Sequence, residues 1–177
     1  MNSAHIYKAD VVIAGGGIAG IVTALELLDS DKQILLLDRD EESRFGGLAR
    51  ESFGGMFFVN TPVQRWSGLR DSTDLALRDW LSYAQFNEAD YWPRQWAEFY
   101  VNNCTSLGYQ WLRKQGVRFL PVVNWVERGT DRHPGNSVPR FHIVWGSGKG
   151  LTETLIGRLR AHKHSANLSI RCNHKVT

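Results

Sequence analysis

The run Gly15-Gly16-Gly17-Ile18-Ala19-Gly20 constrains this chain more than any other feature. It places glycines at positions 15, 17 and 20 in a G-x-G-x-x-G pattern, directly after the β-branched run at residues 10–14. Directly after it, Ile21, Val22, Leu25 and Leu28 recur at helical spacing. Strand, glycine turn and helix in that order are the context in which this motif cradles a dinucleotide. Gly15 permits the tight turn, Gly17 lets a pyrophosphate approach the backbone, and Gly20 lets helix and strand pack closely. Free N–H groups at the helix start and the helix dipole attract the negative charge. A second apolar strand at residues 33–37 closes at Asp38, completing a βαβ unit whose crossover should be right-handed. Asp38 lies roughly twenty residues beyond the glycines, where a carboxylate accepts hydrogen bonds from ribose hydroxyls and repels a 2′-phosphate.

A second glycine-rich stretch follows at once, with Gly46-Gly47 and Ser52-Phe53-Gly54-Gly55. A cofactor as long as FAD, reaching from adenosine to isoalloxazine, needs a second place where backbone can come close. That need separates FAD from NAD in this sequence. Further on, residues 72–84 read as a helix with Ser72 or Thr73 as N-cap and Leu75, Leu77, Trp80, Leu81 and Ala84 as its apolar face. Residues 93–115 read as another, with Pro93 in the first turn, Gly116 just past the end and Gly108 as a possible interruption. Strands are expected at 10–14 (a buried one), 33–37, 57–59, 117–123, 141–145 and 168–176, and a last helix at 151–161.

Other features narrow the function. Formal net charge is only +3 and no long Lys/Arg run occurs, so no nucleic-acid surface is expected. No stretch of about 18 apolar residues is present, so no membrane span is expected, and residues 1–10 lack a signal core. A cytoplasmic location is the default. Cys104 and Cys172 have no C-x-x-C partner and read as reduced, packed thiols, with no metal site. Trp92, Trp96 and Tyr100 form an i, i+4, i+8 stripe expected to pack in a core. Arg140 and His142 alternate with Phe141 and Ile143 and are expected on a polar strand face. His162 and His164 are expected at a helix C-terminus. Residues 146–150 miss the Walker spacing, because Gly150 follows Lys149, and read as a helix-opening turn.

The chain resembles the superfamily of FAD-dependent fumarate reductases, succinate dehydrogenases and 3-ketosteroid Δ1-dehydrogenases. The matching residues are 10–20, Leu35-Leu36-Leu37-Asp38, Gly46-Gly47 and 52–55, then the glycine-led helix at 146–159 and the strand at 170–176. It is most similar to bacterial ketosteroid-dehydrogenase-like flavoproteins through Asp79-Trp80-Leu81, Trp92-Pro93-Arg94-Gln95-Trp96 and residues 136–142. The resemblance implies pyrophosphate contacts at Gly15, Gly17 and Ala19, with Gly20 packing the turn. It implies ribose binding at Asp38 with a neighbouring contact at Arg39. Gly46, Gly47, Leu48 and Ala49 would approach the pyrophosphate-to-flavin region. Ser52, Gly54 and Gly55 would lie nearer the isoalloxazine, and the Val176 backbone would meet the adenine. Relatives often carry Ser or Thr after the paired glycines; Leu48-Ala49 here leave backbone contacts only. No histidine occurs between His5 and His133, so FAD is expected to be non-covalent.

The expected fold is α/β: a Rossmann-like FAD-binding domain with a parallel sheet. Residues 1–59 and 135–177 would form it, with an aromatic-rich helical insertion at 60–134. The ending at Val176-Thr177, within a strand pattern, suggests the front part of a longer protein. The expected activity of that protein is flavin-dependent oxidation or reduction of a small-molecule substrate at a CH–CH group beside a carbonyl or carboxylate. The 177-residue stretch alone is expected to be inactive. An NAD-dependent Rossmann dehydrogenase and a truncated nucleotide-binding module without catalysis are the alternatives.

Overall fold

The computed structural model describes residues 6–126 and 128–177. Along the chain these form β1 (Val11–Ala14), α1 (Ile18–Leu27), β2 (Ile34–Leu37), α2 (Gly47–Glu51), β3 (Gly55–Phe57), α3 (Pro62–Trp66), α4 (Thr73–Ala84) and α5 (Tyr91–Asn103). Then follow a π-helical stretch (Cys104–Gln110), α6 (Trp111–Lys114), β4 (Phe119–Asn124), β5 (Phe141–Val144), α7 (Ser147–Arg160) and β6 (Leu168–Arg171). They divide into two compact units: one runs to Ser52 and resumes at Gly146, and the other is Phe53–Trp145.

The first unit is built on a parallel sheet of order β1-β2-β6. Ile34, Leu35 and Leu36 of the middle strand are all buried, as a continuous apolar run between two neighbours requires. Ile21, Ala24, Leu25 and Leu28 of the first helical segment and Leu151, Leu155 and Leu159 of α7 complete this core. β1 departs from expectation. It is the sheet's edge, and of its four residues only Ile13 is buried, while Val12 is 57% exposed. β6 is also shorter than the 168–176 pattern, because the chain turns away after Arg171 through Asn173, whose φ is 58°.

The second unit has an antiparallel sheet of order β3-β5-β4. β4 is an edge strand, and its register shifts between Phe119 and Val123, the interval that holds Pro121. Proline cannot donate to a ladder, so an edge and an irregularity are where a sheet tolerates it. Ser72 caps α4 by accepting the Leu75 N–H at 3.2 Å. The face that α4 buries, however, is Ala76 and Asp79, not the leucines. The helix read at 93–115 starts at Tyr91 and widens to π-helical geometry around Gly108, where an added Cβ would stand 2.8 Å from the Phe58 ring.

The aromatic stripe is reversed. α5 turns Ala97 and Val101 inward, while Trp92 and Trp96 are 68% and 66% exposed. α5 packs on α4, with the Trp80 and Tyr100 rings 5.7 Å apart. Tyr100, although 37% exposed, donates its hydroxyl to the Phe57 carbonyl at 2.9 Å, and partial desolvation there, with Cys104 adding to it, pushes its pKa up to about 12.

Arg140 and His142 are not on a polar face either. Both are fully buried. Arg140 donates to Asp71 and Asp79, and although burial lowers its pKa, those two carboxylates outweigh the effect and raise it. His142 accepts from or donates to Thr61 Oγ1 at 2.7 Å through Nε2 and meets the Arg140 carbonyl at 2.8 Å through Nδ1. Burial holds its pKa below the ordinary histidine value. The neutral tautomer with Nδ1–H satisfies both contacts, with the Thr61 hydroxyl donating to Nε2. Thr61 then still accepts the Gln64 N–H as the N-cap of α3.

Candidate cofactor site

The turn from β1 into α1 is set by its glycines, for two different reasons. Gly15 has φ 109°, a left-handed value that suits glycine, and its N–H donates to the Leu37 carbonyl at 2.8 Å. Gly20 is required by contact: an added Cβ would overlap the Gly15 carbonyl oxygen and stand 3.3 Å from Ile13 Cγ2. Gly17 is the N-cap of α1, no side chain caps that helix, and the position of a Cβ on Gly17 is open for 4 Å around. The first-turn amides of a ten-residue helix therefore meet no protein acceptor from a capping side chain.

Asp38 sits at the end of β2, only 8% exposed. Its Oδ2 accepts the Gly16 N–H at 2.5 Å and its Oδ1 accepts the Asp40 N–H at 2.8 Å. Its backbone N–H donates to the Arg171 carbonyl, and its carbonyl accepts from the His174 N–H, both at 2.8 Å. Gly16 is thus as constrained as its neighbours: a Cβ there would stand 2.6 Å from Asp38 Oδ2 and overlap the Phe45 ring. The motif reading assigned Gly16 no role; the triple glycine was the signal.

A cleft of about 410 Å³ opens above this turn. It brings together Gly15, Asp38, Arg39, Gly47, Leu48 and Val176 of the sequence-identified residues. Arg44, Glu51, His174 and Lys175 also line it and were not anticipated. Arg44 lies in an unremarkable polar loop, and His174 and Lys175 were hidden inside an over-long strand. The tail that carries them is fixed by two bonds, Asn173 N–H to the Asp40 carbonyl at 2.9 Å and His174 N–H to Asp38. The His174 ring adds a 2.7 Å contact from Nδ1 to the Cys172 carbonyl. The cleft's electrostatics are mixed. Burial and the carboxylates of Asp38 and Glu42 raise the pKa of nearby Cys172, while Arg39, Arg44 and Lys175 supply positive charge at the wall.

The remaining residues are placed elsewhere in the same unit or in the other one. Gly17, Ala19 and Gly20 belong to the turn but not to the cleft wall. Gly46 (φ 119°) donates its N–H to the Gly16 carbonyl at 3.1 Å, and its Cβ position is closed by Thr152. Gly47 lies with its Cβ position 3.1 Å from Gly17 Cα, so the two glycine segments touch. Ala49 and Ser52 turn their carbonyls toward Gly148 of α7, whose N–H donates to the Ser52 carbonyl at 2.8 Å. Gly54 and Gly55 belong to the second unit, where Gly54 accepts the Val144 N–H and Gly55 leaves space for the Phe141 and Phe53 rings.

These features fit an adenosine diphosphate group. Open backbone at Gly17, a carboxylate in the wall and a cleft within the usual size range of ligand pockets are its requirements. A family model of the FAD binding domain matches residues 10–177. The chain belongs to the FAD binding domain family.

This FAD binding domain is 44% identical, over 99% of its length, to a KsdD-like steroid dehydrogenase of Mycobacterium tuberculosis, and covers 33% of that protein. It is 45% identical, over 88% of its length, to a KsdD-like steroid dehydrogenase of Mycolicibacterium smegmatis, and covers 30% of it. The chain thus spans about a third of the length of these curated relatives. Among solved structures, 3-ketosteroid-Δ4-(5α)-dehydrogenase from Rhodococcus jostii superposes with a TM-score of 0.75 at 20% identity, covering 97% of this chain and 39% of that one. A flavocytochrome c3 fumarate reductase gives 0.71 at 24% identity, covering 93% of this chain and 26% of that one. These two likenesses establish the fold. Among the described residues, no helix is long and apolar enough to cross a membrane.

Proposed function

We propose that this FAD binding domain serves a flavin-dependent oxidoreductase acting on a CH–CH group beside a carbonyl or carboxylate, with a 3-keto steroid as the first substrate class to test. Identity of 44% to a protein named as a KsdD-like steroid dehydrogenase supports the substrate class. The observation that carries the cofactor part is the Asp38 carboxylate, held in the cleft wall by the Gly16 and Asp40 amides. Each carboxylate oxygen has two acceptor sites, so one bond apiece leaves capacity for ribose hydroxyls.

In this reading the backbone of Gly15, Gly17 and Ala19 binds the diphosphate, Gly20 keeps the turn tight, and Asp38 and Arg39 take the ribose. Gly46, Gly47, Leu48 and Ala49 flank the path toward the flavin, with Ser52, Gly54 and Gly55 nearest the isoalloxazine and the Val176 backbone at the adenine. Bound FAD would supply the hydride acceptor or donor, and it would be held non-covalently. The chain's own contribution is to bind and orient: rigid amides need no reorganisation when the anion arrives. The chain spans about a third of its curated relatives' length, and in this reading the 177-residue stretch binds the cofactor but is inactive by itself.

Calorimetric titration of the chain with FAD and, separately, NAD tests the cofactor part. Saturable binding of FAD, weakened at least tenfold by Asp38→Ala, is expected; equal affinity of the variant, or preference for NAD, rejects it. For the substrate class, a full-length protein carrying this domain is assayed with a 3-keto steroid and an artificial electron acceptor, where absent turnover with bound yellow flavin rejects the steroid alone.

A further inference from the structure

The second compact unit contains a cavity that plays no part in the cofactor reading. Beneath it, one guanidinium is shared by two carboxylates. The Asp71 side chain is fully buried and saturated: Arg140 donates from Nε and Nη2 at 2.8–3.1 Å, with Gln64 Nε2 and the Ser72 N–H each at 2.9 Å. Asp79 is different. Its Oδ2 accepts from Arg140 Nη1 at 2.6 Å and from the Ser137 N–H and hydroxyl at 2.8 and 2.7 Å. All three bonds fall on Oδ2 and none on Oδ1 among the described residues, and the side chain keeps 10% of its surface exposed.

That remaining exposure faces a cavity of about 260 Å³ lined by Asp79, Phe57, Trp80, Tyr83 and Asn136. Two carboxylates against one guanidinium leave one negative charge uncompensated at its floor. Three aromatic rings lining the same cavity as a carboxylate oxygen that accepts no hydrogen bond are the chemistry that recognises an organic cation, by ring quadrupoles and a charge-assisted bond, and the Phe57 ring already carries the Arg140 guanidinium 5.7 Å from its centroid. An anion is repelled there, and a purely apolar guest leaves Oδ1 without a partner. The volume is below that of a drug-sized pocket, so the guest is one small group.

We propose that this cavity binds an ammonium or guanidinium on a short apolar stem, the cation on Asp79 Oδ1 and the stem against Phe57, Trp80 and Tyr83. The test is a ¹H–¹⁵N NMR titration of the 177-residue chain with benzylammonium, its neutral isostere benzyl alcohol, and benzoate. Saturable shifts at the Trp80 indole and the Ser137 amide are expected with benzylammonium, at least tenfold weaker with the alcohol and absent with benzoate. A parallel titration with N-acetyl-arginine amide separates the sources: tighter binding than benzylammonium identifies a protein side chain, weaker binding a free amine. Asp79→Asn should reduce the ammonium to the level of the alcohol. Because Asp79 also holds Arg140, Tyr83→Ala at the exposed wall is the second variant; it should fold normally and bind at least threefold more weakly. Equal binding of alcohol and ammonium, no saturable shift, or undiminished binding by Tyr83→Ala overturns the proposal.

Discussion

Two glycine-to-alanine changes in helices should have opposite signs. At Gly157 of α7 an added Cβ meets nothing within 4 Å. Gly157→Ala therefore gains helix propensity alone, about 0.5–1 kcal/mol. At Gly20 of α1 the same methyl overlaps the Gly15 carbonyl oxygen, 3.1 Å from its carbon and 3.3 Å from Ile13 Cγ2. Those neighbours are backbone and a buried core side chain, so neither can swing aside. Forced overpacking costs roughly 1–3 kcal/mol, and at close backbone contact the upper half of that range applies. Subtracting the propensity gain leaves Gly20→Ala destabilised by about 1–2.5 kcal/mol. At roughly 2–4 °C per kcal/mol for a chain of this size, Tm should fall by about 2–10 °C for Gly20→Ala and rise by about 1–4 °C for Gly157→Ala. Urea and thermal unfolding by far-UV circular dichroism read the stability, and calorimetry reads FAD affinity, which Gly20→Ala alone should lower. A Gly20→Ala protein as stable as Gly157→Ala, binding FAD as the parent does, would refute the claim that close backbone packing makes this glycine necessary.

Removing Arg140 by Arg140→Ala should cost about 3–5 kcal/mol, because it strands two buried carboxylates; a urea midpoint near that of the parent would contradict it. His142 titrates lower in the fold than free histidine, so the unfolded chain binds the extra proton first. Its contribution is intact above about pH 6.5 and drains away as pH falls below that value, and His142→Gln should flatten this part of the stability–pH curve. Tyr100, raised from 10.0 to about 12, has the reverse sign: stability is intact below pH 10 and lost as pH climbs toward 12. Ultraviolet titration should show one tyrosinate appearing late, and Tyr100→Phe should abolish that step.

The nucleotide-binding turn was legible because its causes are local. Strand, glycines, helix and Asp38 follow one another within forty residues, and each has a conformational reason visible in a short window. The Ser72 cap was legible for the same reason. What escaped notice depends on partners distant in sequence. Arg140 looked like half of a polar strand face because Asp71 and Asp79, which make its burial tolerable, lie some sixty to seventy positions away. Spacing gave α5 the Trp92-Trp96-Tyr100 stripe, which was expected to face a core, whereas the residues the helix buries are Ala97 and Val101, because its rotation is set by partners that lie elsewhere in the chain. In the cleft, Lys175 and His174 were concealed because the last strand was read on to Val176, whereas after Arg171 the backbone bonds to Asp38 and Asp40 bend the chain instead.

The order of strands in the parallel sheet has a consequence for biosynthesis. β2 occupies the centre, and one of its flanks is filled only by β6. Roughly 130 residues separate them, so at about 5–20 residues per second a ribosome leaves that flank bare for on the order of ten seconds. Throughout this interval the nascent chain carries Ile34, Leu35 and Leu36 on a half-templated ribbon, ready to recruit a stray strand. Limited proteolysis of ribosome-stalled chains should find the 34–37 segment cleavable until residue 171 has emerged, and protected thereafter.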